Sequence, residues 1–339
     1  RPLPAPAARR APRAHRGAAR NHHHRGRRTP RFLTSAAHLE GPPVDDLLWF
    51  ADLAEKYEWQ QDLGNASPPM GVPPTHRYLL KEAVASSARS PPPGTSRTRS
   101  TSPRSVPRSP PATPSSSSPP PPTPPWCAAL VGRIIAEETD IPPGVVNIVT
   151  SSDHSVGAQL TTDPRIDLVS FTGSTATGKS VMRAASDSLK KVFLELGGKS
   201  AFVVLDDADL KAACSIAAFT VCTHAGQGCA ITTRLLVPPR ERYDEAVDIT
   251  AKVLRGIRPG NPNEPGTICG PLISARQRDR VEGYLRLAVE EGGTIVVGGG
   301  RPAEHDKGFF VEPTLIAGLD NSARVAQEEI FGPVLVILP

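Results

Sequence analysis

From residue 126 onward the chain alternates two apolar patterns. Short runs at 145–149, 166–171, 191–194, 201–205 and 334–338 are rich in branched residues and read as strands. Between them, 127–138, 156–160, the stretch from Gly173 to about Lys190 and 209–224 space their apolar residues as helices do, and 234–237 and 243–254 continue the second domain. This alternation predicts an α/β fold with a parallel sheet and crossover helices. Upstream, Leu47, Leu48, Phe50, Ala51, Leu53, Ala54 and Tyr57 recur at helical spacing after a candidate aspartate cap in Val44-Asp45-Asp46. Residues 60–80 are turn-rich and read as a loop ending in Tyr78-Leu79-Leu80. The final run, 334–338, is expected to leave a sheet edge in need of cover, a sign of truncation.

Two stretches lack any such pattern. Residues 1–31 hold ten arginines and no acid, and residues 85–125 hold fourteen prolines, five arginines and no acid. Neither can bury enough apolar surface to order itself, so both read as disordered Pro/Arg/Ser-rich tracts. Taken literally, the second is a linker or an Arg-Ser tract able to contact RNA. The tracts also distort the charge of +5: without their fifteen arginines, 24 basic residues face 34 acidic ones. The globular remainder is acidic, which gives no case for a nucleic-acid enzyme. With 339 residues, 38% of them hydrophobic, two domains can be cored. No run reaches the roughly 18 apolar residues of a membrane span. The five cysteines form no C-x-x-C pair, which suits a reducing compartment, and the cytoplasm is the default location.

Candidate chemistry concentrates between residues 193 and 229. Glu195 stands among apolar residues ahead of Gly197-Gly198, where a carboxylate is costly without a task or partner. Cys229 follows His224-Ala225-Gly226-Gln227-Gly228, whose glycines permit close backbone approach to an accessible sulfur. A base and a nucleophile are thus at hand. Upstream, Gly173-Ser174-Thr175-Ala176-Thr177-Gly178-Lys179-Ser180 matches a P-loop letter for letter, and 201–206 supplies an apolar run ending in acid. A nucleotide triphosphatase is therefore a rival reading, although such an enzyme has no use for Glu195 and Cys229.

Glu195-Leu196-Gly197-Gly198-Lys199 and Gly226-Gln227-Gly228-Cys229 resemble the glutamate and cysteine motifs of the aldehyde dehydrogenase superfamily. Phe171-Thr172-Gly173-Ser174-Thr175 upstream and Glu328-Glu329-Ile330-Phe331-Gly332-Pro333-Val334 downstream extend the resemblance in family order. It implies a Rossmann-like parallel-sheet cofactor domain (32–58 and 83–196), an oligomerisation hairpin remnant (59–82) and an α/β catalytic domain (197–339). The activity implied is NAD(P)-dependent oxidation of an aldehyde. Cys229 would be the nucleophile and Glu195 the general base. Gly173, Ser174, Thr175, Gly178, Leu196, Glu329 and Phe331 would hold NAD or NADP, and Lys179 would be a solvated helix residue. No metal, membrane or nucleic acid is implied, and any homo-oligomer is weakened by truncation.

The family's Trp-Asn-Phe-Pro and Val-Val-Leu-Lys-Pro-Ala-Pro segments are missing from 85–125. Read one nucleotide late through GC-rich codons, Trp-Asn-Phe becomes Gly-Thr-Ser, as at Gly94-Thr95-Ser96, and the second segment becomes Ser115 to Pro121. The same shift under Asn21 to Arg28 makes the triple histidine a frame artefact and not a metal site. Both tracts are thus expected to be out of frame, with the Asn oxyanion donor and a ribose-binding Lys lost. The chain is expected to be impaired in turnover, or to survive as a non-catalytic remnant that binds nucleotide or other subunits.

Overall fold

The computed structural model describes residues 49–50, 52–53, 56–58, 60–66, 75–80, 87–90, 113–117, 126–151, 153–239, 241–264 and 266–339. Residues 1–31, the histidines at 22–24, the rest of the 85–125 tract and the doubled prolines at 42–43, 68–69 and 73–74 lie outside them. The described chain falls into two compact units: one takes 49–172 and 176–194, the other 173–175 and 195–339.

In the first unit β1 (Gln60–Ala66) and β2 (Thr75–Leu80) form an antiparallel hairpin, so the stretch expected as a loop has strand structure. A second sheet contains β3 (Ser87–Ser90), β4 (Thr113–Ser117), β5 (Val146–Thr150), β6 (Leu168–Gly173) and β7 (Lys191–Leu196). The last two residues of β7 belong to the second unit. The strand order is β5-β4-β3-β6-β7, with β3 parallel to β4 and β6, and β4 parallel to β5. In sequence terms this is the 3-2-1-4-5 order of a doubly wound sheet, whose reversal between β3 and β6 marks where such sheets bind ligands at their carboxyl ends. Helices α1 (Trp126–Glu138), α2 (His154–Thr162) and α3 (Thr175–Ser186) make the crossovers.

Two of these strands correct the sequence reading. The 85–125 tract was expected to offer no ladder, yet residues 87–90 pair with β6 and residues 113–117 with β5. Pairing uses main-chain groups, which Ser, Ala, Arg and Thr carry as well as Val does, and Pro114 removes only one donor from the two segments. Ile166, Val169 and Val181 are the buried cluster here, with Leu160, Phe171, Val192 and Leu194 packed against them.

The second unit contrasts with it. Its sheet runs β10-β11-β12-β9-β8, built from β8 (Ser200–Val203), β9 (Thr232–Leu236), β10 (Thr294–Val297), β11 (Thr314–Ala317) and β12 (Val334–Leu338). Only β10 pairs antiparallel. Helices α4 (Leu210–Cys222), α5 (Glu241–Arg255), α6 (Ala275–Glu290) and α7 (Arg324–Gln327) complete the unit. All five residues of β12 are buried, and it pairs with β11 on one side and β9 on the other. The expected open edge at 334–338 is therefore absent, because both ladders of that strand are filled.

Candidate active site

Helix α4 delivers the cysteine. Asp209 caps it, accepting from the Ala212 N–H at 3.0 Å, and its inner face (Cys214, Ala217, Ala218, Val221, Cys222) is fully buried. The chain then makes a 3₁₀ turn, Thr223–Gly226, in which His224 and Ala225 take φ of 54° and 52°. Left-handed backbone at non-glycine residues costs about 1–3 kcal/mol each and persists only where the surroundings over-determine it. Gln227 does so here. Its buried side chain donates from Nε2 to the His224 carbonyl at 3.1 Å and accepts the Ile273 N–H at 3.0 Å. Cys229 emerges from this turn exposed, whereas Cys214, Cys222 and Cys269 are buried. Burial pushes the Cys214 thiol up, and a hydrogen bond with Cys269 together with burial does the same to Cys222. These three are packing atoms; of the four cysteines whose side chains are described, Cys229 is the one a solute can reach.

Glu195 lies at the end of β7, whose residues alternate exposed and half-buried, and it falls in the exposed phase. The expected cost of holding this carboxylate among apolar neighbours is therefore not incurred. Immediately afterwards the chain rests on a second acid. A Cβ on Gly197 would stand 2.1 Å from Glu329 Oε2, so any larger residue there displaces that carboxylate. On the other side, a Cβ on Gly226 would stand 1.9 Å from the Gly332 carbonyl oxygen. The turn carrying Glu195 and the loop carrying Cys229 are thus both pressed against one segment, 329–333.

That segment is held from α6. Gln277 donates from Nε2 to the carbonyls of Ile330 and Phe331 at 3.1 and 2.9 Å, and Arg280 donates to the Glu329 carbonyl at 2.5 Å. Phe331 takes φ of 63°, a second strained position. The two adjacent acids have different partners. Glu328 accepts from Arg324 at 2.9 Å and from Tyr284 at 2.8 Å, which holds its carboxyl below the usual range. Burial raises Glu329 instead, against the Gly198 N–H, Arg280 and Lys199, and its buried Oε1 has no hydrogen-bond partner. Lys199, Gln227 and Gln277 are the site residues sequence reasoning missed. The first two stand inside quoted motifs, and that was their only signal.

Gly173 ends β6 and Thr175 begins α3, so Ser174 is the whole connection. The P-loop reading fails on this geometry: residues 175–180 are already helical, leaving no loop to wrap a phosphate, and Lys179 is exposed on the helix. Gly178 is buried and Leu196 half-buried. Among the described residues no helix is long and apolar enough to cross a membrane.

Residues 118–339 match the model of the aldehyde dehydrogenase family. The chain belongs to the aldehyde dehydrogenase family. A Staphylococcus saprophyticus relative with an aldehyde dehydrogenase name is 42% identical over 212 residues, covering 62% of this chain and 44% of the relative. The chain thus spans less than half the length of that relative. Among solved structures, a Mycobacterium tuberculosis aldehyde dehydrogenase complexed with NAD⁺ is similar at a TM-score of 0.80 and 33% identity, covering 98% of this chain and 68% of that one. An NAD⁺ complex of a Bacillus cereus aldehyde dehydrogenase gives a TM-score of 0.76 at 30% identity, covering 89% and 59%. This membership accounts for the doubly wound sheet.

Proposed function

We propose that the chain carries the site of an NAD(P)-dependent aldehyde dehydrogenase, with Cys229 as nucleophile and Glu195 as general base. The observation that carries this reading is the convergence of the Glu195 turn and the Cys229 loop on residues 329–333, with Cys229 the exposed thiol. Cys229 Sγ adds to the aldehyde carbon, and its proton passes to Glu195 or solvent. The developing oxyanion accepts the Cys229 backbone N–H. After oxidation to the thioester, Glu195 removes a proton from the attacking water, the C–S bond breaks, and carboxylic acid and thiol are released.

A dinucleotide fits the residues present, since Glu329 Oε1 is a buried acceptor with no protein donor. On the family pattern Gly173, Ser174, Thr175 and Gly178 would hold the pyrophosphate, and Leu196, Glu329 and Phe331 the nicotinamide half. When bound, that nicotinamide supplies the hydride acceptor. The family's second oxyanion donor has no counterpart in the sequence, and loss of one such donor costs about 10²–10³ in turnover. The purified chain is therefore expected to alkylate at Cys229, to be protected by aldehyde, and to reduce NAD or NADP slowly. Cys229→Ser should abolish both signals. Labelling that aldehyde leaves unchanged would show a remnant that no longer takes substrate.

A further inference from the structure

Two glutamines close a ring of contacts on the Cys229 loop. On one side, Gln227 Oε1 accepts the Ile273 N–H at 3.0 Å, which ties the loop to the residue before the Ser274 cap of α6. In the first turn of that helix, Gln277 donates from Nε2 to the Ile330 and Phe331 carbonyls at 3.1 and 2.9 Å, while its own N–H is held by Ser274 Oγ at 3.2 Å. On the other side, Val281 packs on Gly332 from the next turn, and Gly332 in turn meets Gly226 so closely that no Cβ fits between them. The path thus runs from the cysteine loop through 273–277 to 330–332 and back to the cysteine loop, all of it within the second unit. The backbone inside the ring is strained at His224, Ala225 and Phe331, and such strain persists only while its surroundings hold it. Both amide hydrogens of Gln277 go to the main chain, so whatever it does for Cys229 it does through the backbone.

We propose that Gln277 is a positioning residue for Cys229: by way of the Phe331 carbonyl and the Gly332–Gly226 contact it holds the Cys229 N–H where the oxygen of an adding aldehyde comes to rest. This rests on the reading of Cys229 as nucleophile. The step served is the addition itself. The S–C bond forms, the carbonyl π bond opens, and the sulfur's proton ends on the new hydroxyl, with nothing oxidised. Hydrogen bonds weaken steeply once distance or angle departs from the optimum, and losing one lowers affinity about tenfold. A ring opened at one glutamine has already lost its closure, so opening it at the other adds little.

The full chain, without dinucleotide, tests it. Alkylation of Cys229 by iodoacetamide, followed by peptide mass spectrometry, gives a bare rate, and the propanal concentration that halves this rate gives the strength of the adduct. Gln277→Met is expected to raise that concentration about tenfold while leaving the bare rate, which exposure of the thiol sets, unchanged. Gln277→Glu keeps the shape and loses the donors, so it is expected to match Gln277→Met. Gln227→Met is expected to weaken the adduct too, and the double variant to be no weaker than the worse single one. Unchanged protection in Gln277→Met, or wild-type protection in Gln277→Glu, would overturn the proposal. So would a bare rate that shifts as far as the protection does, the mark of a loop loosened as a whole, and so would effects of the two glutamines that multiply, the mark of separate supports. A wild-type chain that propanal fails to protect would overturn the nucleophile reading and this one with it, whereas a protected wild type with unaltered variants overturns this one alone. Where Gln277→Met fails to fold, Gln277→Glu is judged by the same two measurements.

Discussion

Lys199 and Glu195 stand four positions apart on one turn, and the fold treats them oppositely: the acid faces solvent and the amine is buried. Burial, with the Arg234 charge adding to it and Glu329 opposing it, brings the Lys199 ammonium down to about 7. An unfolded lysine titrates near 10.4. Between those values the unfolded chain holds a proton that the folded chain has released, so stability rises with pH from about 7 to about 10. Below about 7 the buried charge is present in full and its cost is undiminished. Chemical denaturation of wild type and Lys199→Met is therefore expected to show a gap that narrows as pH rises through this window. Parallel curves would mean that the amine titrates normally. Glu195 and Cys229 were legible in sequence because contiguous motifs carry them. The burial of Lys199 was not, since Arg234 and Glu329 reach it from distant stretches. Gln227 and Gln277 were hidden for the same reason: their amides bind the main chain at Ile273, Ile330 and Phe331.

Elements were legible where an apolar run sits between clear punctuation. The expected helices at 127–138 and 209–224 correspond to α1 and α4, and the helix expected to run to Lys190 stops at Ser186. There Lys190 has a different task. Its buried Nζ donates to the carbonyls of Asp163 and Ile166 at 2.5 and 2.9 Å, tying the end of α2 to the approach to β6. Lys190→Met removes both bonds and takes this donor from the buried Ile166 carbonyl, while the Asp163 carbonyl keeps the Ile166 N–H at 3.1 Å. It is expected to destabilise the first unit by about 1.5–3 kcal/mol in urea unfolding, the range for hydrogen bonds to charged groups. Sequence reading passed over α6, although Val281, Leu285 and Ala288 give it a buried stripe at helical spacing, because arginines and acids crowd its remaining positions. It assigned no strand to β3 and β4, whose Ser, Arg and Pro content argues against one; only pairing with β5 and β6 reveals them.

At the level of the molecule, the described residues give the two units unequal cores built from similar architecture. Parallel sheets covered on both faces ordinarily need strands that are nearly continuous in Val, Ile and Leu. The second unit meets that requirement with β11 and β12, buried throughout, and with the apolar faces of α4, α5 and α6. The first unit has Ser-Ala-Arg-Ser and Thr-Pro-Ser-Ser-Ser at β3 and β4, and its described buried cluster is three residues deep. Hydrophobic burial stabilises by roughly 25 cal/mol per Å² of apolar surface, so the smaller core confers less resistance to local opening. Native-state hydrogen exchange should separate the two. Amides of β5 and β6 are expected to exchange through openings of low free energy, while those of β11, β12 and α4 exchange only near the global limit. Raising urea below the main transition should widen the difference, because sub-global opening of the first unit exposes surface while the second stays closed. Equal protection in β6 and β12 would show that main-chain pairing gives the first unit a stability its apolar content does not.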